Sequence, residues 1–197
     1  MPRAALGIRM HSGWGVVVAI SGDAASLEVV DRRRIAVTDA ATPGANQPYH
    51  HAANLALAEA EIYLANCAAA ADRLASVAVA EVVRELDARH FRITGAAVLL
   101  ASGRQLPPLP RILAAHPLIH TAEGEFFRHA VSQACEAAKI PVTTIRERDL
   151  EERAGAMFGS DASRVQRIIA RLGQPIGPPW TMDHKAAALA AALILAR

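Results

Sequence analysis

The sequence predicts an α/β fold, a mixed five-stranded sheet with helices on both faces. Three observations predict it. "ALGIRMHSGWGVVVAI" sets two apolar runs around a turn holding Gly13 and Gly15, the pattern of an opening β-hairpin. "ITGAAVLLAS" is apolar throughout and bounded by glycines, as buried parallel strands are, and "IPVTTI" is a further short strand. Around them lie alanine-rich stretches whose apolar residues recur at helical spacing.

Leu6 to Arg9 and Val16 to Ile20 are the first two strands. After the turn signal "SGD", Ser26 to Val30 and Arg34 to Val37 continue the β pattern, until Pro43, Gly44 and Pro48 break it. From about His51 to His90, Leu55, Ile62, Leu74, Val82 and Leu86 mark one long helix or two with a kink. "GRQLPPLP" is a loop, because its prolines forbid a ladder or a helix interior. A short helix follows around Arg111 to Ala115, then a longer one over "HTAEGEFFRHAVSQACEAAK" with Thr121 as N-cap. After "IPVTTI", a helix starts near Ser160 or Asp161 and stops at Gly173; "QPIGPPW" is a loop, and "TMDHKAAALAAALILA" closes the chain as a helix. Three hairpin-linked strands followed by helix–strand crossovers give three antiparallel and two parallel strands.

At 197 residues with 52% hydrophobic composition, the chain has the size and core of a single domain spanning residues 1–197. A net charge of +2 is a weak basic bias, compatible with nucleic acid without demanding it. Cys67 and Cys135 lie in helical stretches with no CxxC spacing, so a reducing cytoplasm is expected. "AAALAAALILA" and "CAAAA" fall short of the roughly 20 residues that span a bilayer, so no membrane association is expected.

The β-β-β-α-β-α-β order resembles the ribonuclease H-like superfamily, and the finer pattern looks like its Holliday-junction resolvase, RuvC-like branch. That branch has a first strand Gly-Ile-Asp followed by a glycine turn, a Lys-x-x-Val-Gln helix, a proline-containing loop, and a closing helix of the form Asp/His-x-x-Asp-Ala-Leu-Ala. Here "GIRMHSGWGVVV", "GSDASRVQRIIARL", "GQPIGPPW" and "DHKAAALAAAL" occur in that order. The resemblance implies a two-metal nuclease site, and this sequence departs from it position by position. The first-strand aspartate falls on Arg9, and the central-strand glutamate near Ala101 or Ser102. The closing helix keeps a metal-capable His184 but has Ala187 three positions on. Two-metal phosphodiester chemistry needs carboxylates converging on cations about 3.5–4 Å apart. Magnesium takes oxygen ligands, whereas an arginine cannot ligate and repels the cation. The expectation is therefore a pseudoenzyme without the nuclease reaction and with no resident metal or cofactor.

The remaining candidates each carry two readings. Arg9 binds an anion directly or, by the preferred reading, pairs with a neighbouring acid such as Asp183. Asp183 and His184 open the last helix, where a first-turn acid or cap is the simpler role. His116, His120, Glu123, Glu125 and His129 offer a relocated metal site, with His120 and Glu123 three apart, or else a charged helix start with histidines on its rim. Arg164, Arg167 and Arg171 form one helix stripe that either tracks phosphates or is solvated. "DRRRI" is read as edge protection, and Trp14 and Trp180 as core caps rather than base-stacking platforms.

Two functions follow. The first is a non-catalytic member that binds DNA or RNA, or serves as a scaffold, using Arg9, Arg164, Arg167 and Arg171, with a homodimer compatible with the alanine-rich helix surfaces. The alternative is a metal-dependent phosphoester hydrolase working through His120, Glu123 and His184 with a divalent metal. A distant likeness to actin-like phosphotransferases, which share the opening hairpin, ranks last.

Overall fold

The computed structural model describes residues 1–101, 103 and 105–197. The first apolar runs form an antiparallel ladder: β1 (Arg3–Met10) pairs with β2 (Trp14–Ser21), and β2 with β3 (Glu28–Ala36). β4 (Arg92–Leu100) and β5 (Val142–Arg146) join in parallel, giving the order β3-β2-β1-β4-β5. This is the mixed sheet that the sequence predicts. Gly13 makes the β1–β2 turn with φ at +80°, a left-handed conformation that favours glycine.

The two β runs expected between Ser26 and Val37 are one strand, because the charges between them find partners. Arg33 Nε donates to Asp31 at 2.7 Å and its Nη2 to Glu85 at 2.7 Å. Those two carboxylates raise the Arg33 pKa, Glu85 most. Arg32 Nη1 donates to the carbonyls of Gly177 (2.8 Å) and Pro179 (2.6 Å), tying the edge strand to the last loop. "DRRRI" thus pins elements together rather than only shielding an edge.

The long helical region divides into α1 (Pro48–Ala52) and α2 (Leu57–Ala88). α2 buries Ala60, Leu64, Cys67, Ala71, Ala75, Val79, Val82 and Leu86, one stripe at helical spacing. By length and composition α2 is apolar enough to cross a membrane, unlike the shorter runs singled out in the sequence. Ala71 to Leu86 of its stripe join the core formed with the sheet and the next long helix. α3 (Leu109–Leu113) is followed by α4 (His116–Ala137), which begins earlier than the Thr121 cap predicted. Pro117 sits in the first turn, where its missing N–H costs nothing. Thr121 lies inside the helix and donates to the Pro117 carbonyl at 3.0 Å.

After β5 comes a helix that the sequence did not disclose, α5 (Leu150–Phe158); only Leu150 and Ala154 are buried in it, too few to set a period. α6 (Ala162–Arg171), the short α7 (Gly173–Ile176) and α8 (Met182–Leu195) complete the chain. α7 occupies the start of the segment predicted to be loop.

Two cores flank the sheet. Leu6, Ile8 and Val98 pack with Val82 and Leu86 of α2 and Phe127 of α4. On the other face Ala5, Val18 and Ala97 pack with Ile169 of α6 and the apolar length of α8. α8 rests directly on β1 at Gly7, where a Cβ would collide with the Ala187 carbonyl. The carboxyl ends of β1, β4 and β5 therefore open at one edge, the position where open α/β sheets place their sites, and the first turn of α8 meets Arg9 of β1 there.

Candidate functional site

Arg9 is the penultimate residue of β1 and points to the α8 side. Its Nε and Nη2 donate to the two carboxylate oxygens of Glu147, at 3.1 and 3.0 Å. Its Nη1 donates to Asp183 in the first turn of α8. All three guanidinium nitrogens are engaged within the protein. Glu147 opens a 3-10 turn directly after β5, held by Arg146 donating to Asp149 at 2.7 Å. His11 Nε2 lies 3.0 Å from Asp183 Oδ2 and 3.1 Å from Arg9 Nη1. A protonated nitrogen donates to the carboxylate, and an unprotonated one accepts from the guanidinium.

The β1–β2 turn supports this cluster. His11 stacks on Trp14 with ring centres 4.3 Å apart, and the Arg34 guanidinium lies 4.5 Å from the Trp14 ring centre. Trp180 is a clamp at the other end of α6: its indole N–H donates to the Ile169 carbonyl at 2.9 Å, and its side chain fills the space over Gly173.

The pairing of Arg9 with Asp183 is the one that the sequence favoured; Glu147 and His11 were not foreseen. Ser102 lies outside the described residues. Ala187 is buried under β1. His184 is buried and caps α8: its Nδ1 accepts from the Thr181 backbone N–H at 3.2 Å and from the Thr181 hydroxyl at 2.8 Å. Burial, and then the nearby Arg32 charge, hold His184 below the ordinary imidazole pKa, against a smaller opposing pull from Asp183. Arg164, Arg167 and Arg171 are exposed on α6 and pair with no carboxylate among the described residues. Arg164 lies near Asp23 of the β2–β3 turn, whose pKa is lowered chiefly by Ser26 and slightly by Arg164. That turn is at the opposite end of the sheet from Arg9, so the four arginines do not make one patch.

A second polar cluster lies on the α4 side. His116 and His120 in the first turns of α4 meet His50 of α1, and one ring nitrogen from each lies within 4.8 Å of the others. His50 Nε2 is 3.2 Å from His116 Nε2. Behind them Glu123, only 2% exposed, accepts from the His50 Nδ1–H at 2.8 Å and from the His50 backbone N–H at 3.2 Å. His120 and Glu123 both approach His50, the unforeseen third histidine, His120 through its ring and Glu123 through its hydrogen bonds. His184 lies across the sheet from them. His129 and Glu125 line an open groove of about 780 Å³ further along α4. The groove also holds Arg128, whose guanidinium pairs with Glu125 at 3.2 Å and whose pKa burial lowers. Its buried Nε has no partner among the described residues.

The His116 and His120 spacing, i and i+4, puts two imidazoles on one helix face, a signal the sequence offers beside the His120 and Glu123 spacing that was singled out. Nothing in the sequence marks His50 as their neighbour. Both cysteines are buried, and burial raises their thiol pKa values, that of Cys135 to about 12.

No protein-family model matches this chain, and no curated protein matches it. Among solved structures 12 chains match. RuvC from Thermus thermophilus aligns over 96% of this chain and 92% of its own, at 14% identity and a TM-score of 0.55. The T. thermophilus RuvC structure in complex with a Holliday junction substrate aligns over 98% and 91%, at 16% identity and a TM-score of 0.48. A Ppx/GppA family member from Aquifex aeolicus aligns over 82% of this chain and 40% of its own, at 12% identity and a TM-score of 0.37. With its sheet of three antiparallel and two parallel strands, helices on both faces and nearly full-length overlap with RuvC, this chain has a RuvC-like α/β fold.

Proposed function

We propose that this chain is a RuvC-like protein that binds nucleic acid, or scaffolds other components, without cutting phosphodiesters by a two-metal mechanism. The observation that carries this reading is the Arg9 cluster. Two divalent cations at the carboxyl ends of β1 and β5 would need the oxygens of Glu147 and Asp183. Those oxygens accept instead from a guanidinium carrying a fixed positive charge. On this reading the guanidinium stands where a cation would have to bind.

Phosphate binding falls to the exposed stripe of Arg164, Arg167 and Arg171, since Arg9 is occupied internally. Each phosphate neutralised releases counterions, so such binding weakens steeply with salt. The test is fluorescence anisotropy at low salt on labelled duplex and four-way-junction DNA, with a gel assay for cleavage in magnesium or manganese. Salt-sensitive binding without cleavage supports the proposal. Metal-dependent cleavage overturns it, and absence of binding at low salt removes nucleic acid as the partner and leaves the scaffold.

The alternative hydrolase through His120, Glu123 and His184 is not favoured. His184 belongs to the α8 side of the sheet, and Glu123 is occupied by His50.

A further inference from the structure

We infer that His50, His116 and His120 form a binding site for one divalent transition-metal ion of the zinc class, with Glu123 as the carboxylate that orients His50. The site is separate from the Arg9 cluster, and the inference does not rest on the nucleic-acid reading.

The first support is ligand geometry. Two nitrogens bound tetrahedrally to zinc at about 2.0–2.1 Å lie about 3.3 Å apart. His50 Nε2 and His116 Nε2 lie 3.2 Å apart, and a ring nitrogen of His120 lies within 4.8 Å of a ring nitrogen on each of the other two. The second support is the tautomer. Glu123 accepts a hydrogen bond from His50 Nδ1–H, the tautomer that leaves the Nε2 lone pair facing His116 and His120. Metal-ligating histidines characteristically donate their other N–H to a carboxylate or carbonyl in this way. The same carboxylate accepts the His50 backbone N–H, fixing the start of α1 as well as the ring.

The donor set selects the ion. Three imidazoles suit zinc, copper, nickel or cobalt, whereas magnesium and calcium require oxygen ligands. Both cysteines are buried within helices, so no thiolate joins the set. His116 and His120 are exposed, so a fourth position opens to water or to an incoming donor, the arrangement of zinc sites that keep an exchangeable ligand. The site therefore resembles an open three-histidine centre rather than a closed structural one.

The experiment uses the full chain without a histidine tag, stripped with a chelator, and two probes, zinc by calorimetry and cobalt(II) by visible absorption. Expected are one ion per chain and the intense d–d bands of a four-coordinate cobalt centre with no thiolate charge-transfer band. His120→Ala, at an exposed position, should abolish the cobalt bands. His129→Ala, on the same helix outside the cluster, should leave them unchanged. Glu123→Gln should weaken zinc by about 10–100-fold, as loss of an outer-sphere partner does. Lack of stoichiometric zinc binding at micromolar concentration overturns the inference, as does wild-type affinity in His120→Ala. Neither outcome bears on DNA binding or cleavage, which are read separately.

Discussion

Arg9 holds Glu147 in a two-pronged ion pair, Nε and Nη2 each meeting one carboxylate oxygen, across a sequence separation of 138 residues. The fork geometry of guanidinium suits a carboxylate better than a lysine would. It links the first strand to the turn after the last one, and through Asp183 to the start of the closing helix.

Removing that cation should cost stability, because Glu147 and Asp183 would lose the guanidinium they share, with His11 still beside Asp183. The cluster is partly exposed, so Arg9→Met is expected to lose about 1–3 kcal/mol in urea unfolding. Arg9→Asp should behave differently when metal is added. With three carboxylates at the strand ends, manganese should raise its Tm, by linkage to the folded state. The same addition to His120→Ala, which retains Arg9, should leave Tm unchanged. A manganese-independent Tm in Arg9→Asp would show that the carboxylates do not converge as described.

Packing at the centre is set by Gly7. Gly7→Ala drives a methyl group into the backbone of α8 at Ala187. Since backbone cannot move aside as a flexible side chain does, a loss of about 3 kcal/mol or more is expected. Gly155 of α5 has nothing within 4 Å of an added Cβ. Gly155→Ala should therefore stabilise, by about 0.5–1 kcal/mol from helix propensity and chain entropy. Equilibrium denaturation of the two variants reads both signs.

The buried cap His184 gives stability a pH dependence. Its pKa in the folded protein is below the free imidazole value of 6.5, so the unfolded chain takes up the proton first as pH falls. Its contribution is complete above about pH 6.5 and is lost progressively below that, down through the depressed folded value. Comparing Tm from pH 7.5 down to 5 in wild type and His184→Asn isolates it from the other histidines (both pH values being about the ends of the window). The wild type should lose more Tm than the variant; equal slopes would contradict the assignment.

Arg164, Arg167 and Arg171 are exposed, so replacing all three with glutamine should leave folding intact. DNA affinity should fall, and the slope of log affinity against log salt should flatten by about 0.9 per phosphate contact removed. An unchanged slope would place the phosphate contacts elsewhere.

The sheet was legible in the sequence because β1, β2 and β4 are largely apolar runs beside glycine turns, and α8 because its alanines and leucines leave no polar face. α5 escaped notice because two buried residues set no period. The position of Arg9 was readable from the hairpin, and Asp183 as one example of a neighbouring acid from the resemblance, which places the start of the closing helix beside the first strand. Glu147 and His50 were not readable, since each reaches its partner only when distant parts of the chain fold together: Glu147 through the β1–β4–β5 order, His50 through the packing of α1 on α4. Thr121 was misplaced as a cap because Pro117 starts its helix one turn sooner.

The most direct test of the Arg9 cluster is a cleavage assay of the wild-type chain on four-way-junction DNA with magnesium or manganese at low salt, scored beside binding on the same samples. Bound, uncut DNA is the expected result. Metal-dependent strand cleavage that disappears in Glu147→Gln or Asp183→Asn would mean that these carboxylates hold cations after all, and that the guanidinium does not fill their place.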